Sequence, residues 1–411
     1  MADIRPFSAV RPAAGLEDQV AALPYDVYNR KEAFEAAHRQ PLSFLNIDRP
    51  ETQFPEGYDM YAPEVYEKAK EMLAGQIKEG IYTRETAPCF YLYEQSWRGR
   101  TQTGIVACSS VDDYMNGIIK KHENTRADKE LDRIRHVDTV NAQTGPIFLA
   151  YRSIPVIADL IREVRKTVPD YSFTGEDEVT HTGWTIRDQE KIEIIRQAFS
   201  GVDSIYIADG HHRCASAVRV GQMRRDQCAS YDGSEEFNYF LSVLFPDEEL
   251  MIMDYNRVIK DLNGYSEEKF LSLIKEHCAV RKVCKDTEHP QKKGEVAMYL
   301  PSGWYMLSFP EEWKSEDPVE GLDVSILQNR ILDPVLGIHD PRTDERIDFV
   351  GGIRGYAELE RKVQTCKGVA FGMYPTSIHE LFEVADAGLL MPPKSTWFEP
   401  KLRSGLYIHM L

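Results

Sequence analysis

Long apolar runs are missing from this chain of 411 residues. Its longest pieces, such as Gly145-Pro146-Ile147-Phe148-Leu149-Ala150-Tyr151, fall far short of the ~18 residues a membrane span needs. The opening Met1-Ala2-Asp3-Ile4-Arg5-Pro6 lacks a basic stretch followed by an apolar core, so neither a secretory signal nor a membrane partner is expected, and a cytoplasmic location is. Cysteine is sparse and unpatterned. The seven are Cys89, Cys108, Cys214, Cys228, Cys278, Cys284 and Cys366, with no C-x-x-C pair, which disfavours a disulfide framework or a zinc ribbon. Positive charge is short as well: 49 Lys plus Arg stand against 66 Asp plus Glu, a net charge of −17. Such a surface repels a phosphate backbone, so nucleic acid is not an expected partner. A small anion remains open to it, but only in a locally cationic pocket. Common nucleotide signatures are also absent. There is no G-x-x-x-x-G-K-[ST], no G-x-G-x-x-G, no H-E-x-x-H and no protein-kinase set of H-R-D and D-F-G.

What is present is the balance of an ordinary globular protein, 42% hydrophobic and 28% charged, long enough for two or three domains. Helical spacing predicts helices over Val65–Ile81 and over 127–141, the latter with Leu131, Ile134 and Val137 inward. Strand signals at Cys89–Glu94 and Thr103–Val111 flank Trp97-Arg98-Gly99-Arg100, which predicts a hairpin. Asp203–Ala208 reads as a buried strand leading through Asp209-Gly210 into a short helix ended by Gly221. Strands and helices then mix to the end, with a helix opened by Ser377 and Glu380 as a capping box. Without a regular βαβ rhythm, the expected fold class is α+β with a mixed sheet. The expected domains are 1–102, 103–221 and 222–411, with the tail at 388–401 returning to the site.

Three clusters carry chemistry. Asp209-Gly210-His211-His212-Arg213 follows an apolar strand at the mouth of a helix. A helix start leaves N–H groups unpaired and favours anions, and glycine permits close approach. His211, His212 and Arg213 add donors for phosphate oxygens, while Asp209 suits a divalent metal bridging them. A capping Asp with a packed histidine pair is the plain alternative; four polar residues around one glycine favour a site. In Lys120-Lys121-His122-Glu123-Asn124-Thr125-Arg126 a carboxylate sits among cations, which keeps it ionised as a proton acceptor. A solvated run capping the next helix fits the same residues equally well. The third, Met391-Pro392-Pro393-Lys394-Ser395-Thr396, offers a charge and two hydroxyls on a stiff backbone, or simply a surface turn.

Together, in this order, the three clusters resemble a bacterial domain-of-unknown-function family, number ten-fifteen. More distantly, Ile207-Ala208-Asp209-Gly210-His211-His212-Arg213 and Lys121-His122-Glu123 are similar to segments of the archaeal ADP-dependent free serine kinases, which have a ParB/sulfiredoxin-like core. Lys394-Ser395-Thr396 is similar to their C-terminal Lys-Thr pair. That resemblance implies a small-molecule kinase moving a phosphoryl group from ADP or ATP, with Mg2+, to the hydroxyl of free serine or a relative. It implies Glu123 as base, Asp209, Gly210, His211, His212 and Arg213 around phosphate and metal, and His122, Lys394, Ser395 and Thr396 near the acceptor. Cys214 stands where those kinases carry a tryptophan, and the regions before about Thr103 and over Gln222–Cys366 have no counterpart in them. Those regions are expected to reshape the pocket, supply a homodimer surface, or bind a different acceptor. The alternatives are a nucleotide-binding regulator without turnover, and a metal-dependent hydrolase built on His122, Glu123, His211 and His212.

Overall fold

The computed structural model describes residues 1–284 and 288–411. They divide into two compact units, one formed by Met1–Leu250 with Pro400–Leu411, the other by Met251–Glu399. The boundary expected at 102/103 falls inside a strand of a hairpin, and the one at 221/222 falls inside a helix, so neither can separate domains.

A nine-stranded mixed sheet centres the first unit. Its strands are β1 (Ile4–Arg5), β2 (Phe90–Trp97), β3 (Arg100–Ser110), β4 (Ile119–Lys120) and β5 (Ile147–Tyr151), followed by β6 (Tyr171–Thr174), β7 (Thr180–Ile186), β8 (Ile205–Asp209) and β9 (Tyr239–Pro246). They lie in the order β4-β8-β5-β9-β3-β2-β7-β6, with β1 beside β3. The pairs β4-β8 and β5-β9 are parallel, and the other neighbours in the sheet are antiparallel. The predicted hairpin is β2-β3, closed by Arg98 and Gly99 at φ 49° and 76°, the left-handed pair that suits a two-residue turn. β9 is buried along its whole length, as expected of a central strand covered on both faces.

Besides a ten-residue helix at Arg30–Arg39, the helices that accompany the sheet include α1 (Pro63–Lys78), α2 (Ala127–Val140), α3 (Pro155–Val164), α4 (Gln189–Ser200) and α5 (His211–Gln227). Ile157 and Leu160 of α3, with Ile195 and Phe199 of α4, share one core with Leu149, Ile207 and Leu244 of the strands. A side chain such as Phe199, fully buried here, contributes roughly 1.5–3 kcal/mol. A second core gathers Phe44, Leu45, Leu73, Val140 and Ile408 around α1 and the end of α2.

Two helices differ from the sequence reading. On α2 the inward face carries Asp132, Arg133 and His136, while Leu131 is 48% exposed. Apolar periodicity missed this because the buried groups there are polar, Asp132 paired with Arg133 and His136 bonded to the Ile47 carbonyl. α5 runs six residues beyond Gly221, which is not a stop. The glycine is required by close approach, since a Cβ there would lie 2.6 Å from the Phe237 carbonyl oxygen.

The second unit is built on an antiparallel sheet of β10 (Tyr255–Ile259), β11 (Ala279–Lys282), β12 (Glu295–Leu300), β13 (Gly303–Ser308), β14 (Ile347–Gly351) and β15 (Val369–Gly372), ordered β11-β13-β12-β15-β10-β14. Helix Tyr356–Cys366 packs Leu359 and Val363 against Val258, Ala297 and Ala370 of that sheet. Helix Ile378–Asp386 opens with both halves of the Ser377/Glu380 capping box. The architecture is mixed α and β, as expected. All seven cysteines are free thiols, and among the described residues no helix is long and apolar enough to cross a membrane.

The close approach at Gly221 generates a test. Gly221→Ala is expected to lower stability by about 1–3 kcal/mol through overpacking. Gly75→Ala in α1, where nothing lies within 4 Å of the added methyl, is expected to be neutral or slightly stabilising. Urea midpoints of the two variants check both expectations.

Candidate functional site

Two adjacent strands build the site. β4 pairs with β8 in parallel, Ile119 beside Ile205 and Lys120 beside Tyr206. The chain leaving β4, Lys121-His122-Glu123, is thereby carried along the end of β8 toward Asp209. β8 meets β5 with an irregular register, Ile207 facing Leu149 and Asp209 facing Phe148, so Ala208 is the extra residue of a bulge. Bulges of this kind re-aim the side chains beside them. Gly210 then turns at φ 92° and opens α5, and no side chain caps that helix start. Its first N–H groups lie at the site together with the positive end of the helix dipole.

The side chains are ordered around this turn. Asp209 accepts from the Gly210 N–H at 2.8 Å and from Lys401 Nζ at 2.8 Å. Burial opposes its ionisation, but the Lys401 ammonium and the Arg213 guanidinium outweigh it and hold the carboxyl well below the usual range. Glu123 Oε2 lies 3.8 Å from His211 Nδ1, and its side chain is 34% exposed, open to a ligand. His211 is buried, and its Nε2 has no hydrogen-bond partner among the described residues. His122 lies beneath it, edge-on at 4.5 Å between ring centres, and is hydrogen-bonded with the Ile207 backbone. His212 turns aside, its Nε2 accepting from the Arg126 N–H at 2.9 Å, which places its own proton on Nδ1. Arg213 also turns inward: Nη1 donates to the Pro146 carbonyl at 2.6 Å, and the guanidinium stands just over 3 Å from where a Cβ on Gly210 would be.

The structure thus gathers Glu123, His122, Asp209, Gly210, His211, His212 and Arg213 around one turn. Lys394, Ser395 and Thr396 lie in the second unit. There Lys394 Nζ sits 5.6 Å from the centre of the Tyr255 ring, and Ser395 donates to the Pro392 carbonyl at 2.6 Å, so this segment is a structured turn. Lys401, seven residues beyond Lys394, is the cation observed on Asp209. Spacing could not single it out among the neighbouring lysines, because the Pro400–Leu411 strand of chain had first to be assigned to the first unit. Among the described residues, no group of three or more His, Cys, Asp or Glu is placed to hold a metal ion. Asp209 alone is the kind of single carboxylate that Mg2+ uses when phosphates and waters complete its shell.

Burial leaves the imidazoles neutral near pH 7. Desolvation is the largest cause, and it lowers His211 from 6.5 to about 4 and His122 to about 3. A folded value below the unfolded one means that the unfolded chain takes up protons first. Stability is therefore expected in full above about 6.5 and lost as pH falls from there toward 4, on the order of 1.4 kcal/mol per pH unit per histidine. Urea unfolding at pH 7, 6 and 5 checks this, and His211→Gln is expected to flatten the slope by about one proton.

Comparison with known proteins gives the following. No curated protein matches the chain. Among solved structures, a free serine kinase variant in complex with ADP is 13% identical with a TM-score of 0.35, over 74% of this chain and 92% of that one. SbnI with a C-terminal truncation, from Staphylococcus aureus, is 11% identical with a TM-score of 0.36, over 74% and 87%. A conserved hypothetical protein from Pyrococcus furiosus is 15% identical with a TM-score of 0.33, over 73% and 93%. A family profile described as "Protein of unknown function (DUF1015)" matches residues 4–325. With that much of its length matched, the chain belongs to the DUF1015 family.

Proposed function

We propose that the turn around Glu123 and Gly210 performs phosphoryl transfer from a nucleotide, ADP or ATP, to the hydroxyl of free serine or a similar small acceptor. One observation carries the reading: a partly exposed carboxylate, Glu123, stands beside an uncapped helix start preceded by glycine. Phosphoryl transfer asks little covalent chemistry of a protein. It needs a cradle for the phosphate charge and a base aimed at the attacking hydroxyl.

In this reading the N–H groups at the start of α5 receive phosphate oxygens, as strand-turn-helix phosphate sites of the ParB/sulfiredoxin-like type do. Glu123 accepts the hydroxyl proton as the acceptor oxygen attacks the terminal phosphorus of ADP or ATP, and the bridging P–O bond breaks to release AMP or ADP. His211, neutral and buried, steadies the Glu123 carboxylate through its Nδ1 side, and His122 fixes the His211 ring from below. Lys401 keeps Asp209 ionised, which preserves a carboxylate for a cation that the phosphates share. Mg2+, when bound, would rest on Asp209 and neutralise charge on the phosphate oxygens. Arg213 supplies a second cation behind the glycine turn.

Purified protein supplied with Mg2+, ADP or ATP, and free serine is expected to form a phosphoester. Glu123→Gln should lower that turnover by at least about 100-fold, the usual worth of a positioned base, with nucleotide affinity unchanged by calorimetry. Full turnover in Glu123→Gln would remove the base from the scheme. Absence of nucleotide binding by the unaltered protein would remove the scheme itself.

A further inference from the structure

Of the four most buried arginines among the described residues, three are neutralised. Arg49 holds Glu51 at 2.6 Å, Arg133 holds Asp132 at 2.9 Å and Arg403 holds Asp177 at 2.7 Å. The fourth, Arg257 of the second unit, is the least exposed of them at 4%, and no carboxylate among the described residues pairs with it. Charged side chains are almost never buried alone, because their lost hydration has to be replaced.

β10 directs Tyr255 and Arg257 to one face of the sheet, and the residues directly across from Arg257 are Phe349 of β14 and Phe371 of β15. Gly351 stands opposite Tyr255, where a Cβ would lie 2.6 Å from the Trp397 ring, and that ring packs edge-on to Tyr255 at 5.0 Å. The guanidinium thus lies among aromatic rings, its carbon 5.5 Å from the centre of Phe349. A ring offers a quadrupole, not a counter-charge. Desolvation accordingly lowers Arg257 to about 10, with only the Tyr255 phenol opposing it, whereas Arg133, desolvated too, ends above its ordinary value because of Asp132. Nη1 donates to the Tyr255 carbonyl, which leaves Nε and Nη2 without a hydrogen-bond partner among the described residues. Neither is sealed from solvent as Arg213 Nε is. These two N–H groups point the same way in the planar fork and match a pair of oxygens on one carboxylate or phosphate. A second cation attends the Tyr255 ring: Lys394, held at φ 58° in the turn that Ser395 pins to the Pro392 carbonyl, places Nζ 5.6 Å from its centre. A non-glycine residue keeps that conformation only where its surroundings enforce it.

We propose that the Nε–Nη2 edge of Arg257 is an anion site of the second unit, taking the paired oxygens of a small carboxylate or phosphate, with Lys394 as the outlying cation. The site uses residues of the second unit alone and holds whether or not phosphoryl transfer occurs at Gly210.

The test is thermal unfolding of the full chain in rising acetate or inorganic phosphate, with chloride at equal ionic strength as the reference. An anion that binds only the folded protein raises the midpoint with the logarithm of its concentration. The unaltered chain is expected to show that rise, in acetate if the ligand is a carboxylate and in phosphate if it is a phosphate. Arg257→Met, which removes an unpaired buried charge, should unfold in chloride no earlier than the unaltered chain and should lose the rise. Arg257→Lys keeps the charge but not the fork, and about tenfold more anion should be needed for the same shift. Whatever part of the phosphate response survives in Arg257→Met belongs to the start of α5. A rise of unchanged size in Arg257→Met, or no rise with either anion, would overturn the proposal. Should Arg257→Met fail to fold, crystals of the unaltered chain soaked in selenate and in 4-bromobenzoate decide the matter. An anomalous peak beside Nε and Nη2 supports the site, and its absence with both probes overturns it.

Discussion

Two hydrogen-bonded residues, Ile119 and Lys120, set the position of everything around Gly210. They lay β4 parallel to β8, and that pairing runs the Lys121–Glu123 segment beside the strand end that delivers Asp209. In a sheet, a shift of one residue sends every side chain to the opposite face. Slipped by one, β4 would exchange His122 and Glu123, exposing an imidazole and burying a carboxylate under His211. The register is held by Ile119, 2% exposed in the core, and by Lys120, whose ammonium lies 6.0 Å from the Tyr206 ring centre. A short strand thus does positional work out of proportion to its length.

Electrostatic order extends inward from the turn. Asp209, Lys401 and Arg213 form one group of charges, while Asp132, Arg133 and Asp48 form another, and Arg213 feels the field of both Asp209 and Asp48. Buried charge of this density is costly, and burying apolar groups of the same volume instead is commonly neutral or favourable for stability. The chain nevertheless buries such a pair, Asp132 and Arg133, on α2.

Much of this was legible in the sequence, and unevenly so. The β2-β3 hairpin followed from Arg98-Gly99 between apolar runs, and the capping box at Ser377 and Glu380 stands as read. Asp209-Gly210-His211 was legible as a helix mouth, because glycine after an apolar strand has few other meanings. The α2 face was not, since Asp132, Arg133 and His136 look like solvent-facing residues until their partners, far away in sequence, are known. Gly221 misled for a related reason: a helix stop and a close helix contact both call for glycine. The bulge at Ala208, the inward turn of Arg213 and the reach of Lys401 depend on tertiary neighbours, and no local pattern encodes them.

The first unit is discontinuous along the chain, interrupted after Leu250 and resumed at Pro400. A ribosome makes Asp209 long before it makes the ammonium that neutralises it, and it makes Phe44 and Gln143 long before Ile408 and His409, which pack and pair with them. The nascent first unit must therefore wait, with a bare carboxylate and an unfinished core, through the synthesis of everything from 251 to 399. Only the Pro400–Leu411 segment can close it, so a chain interrupted before that segment would leave Asp209 without its counter-ion.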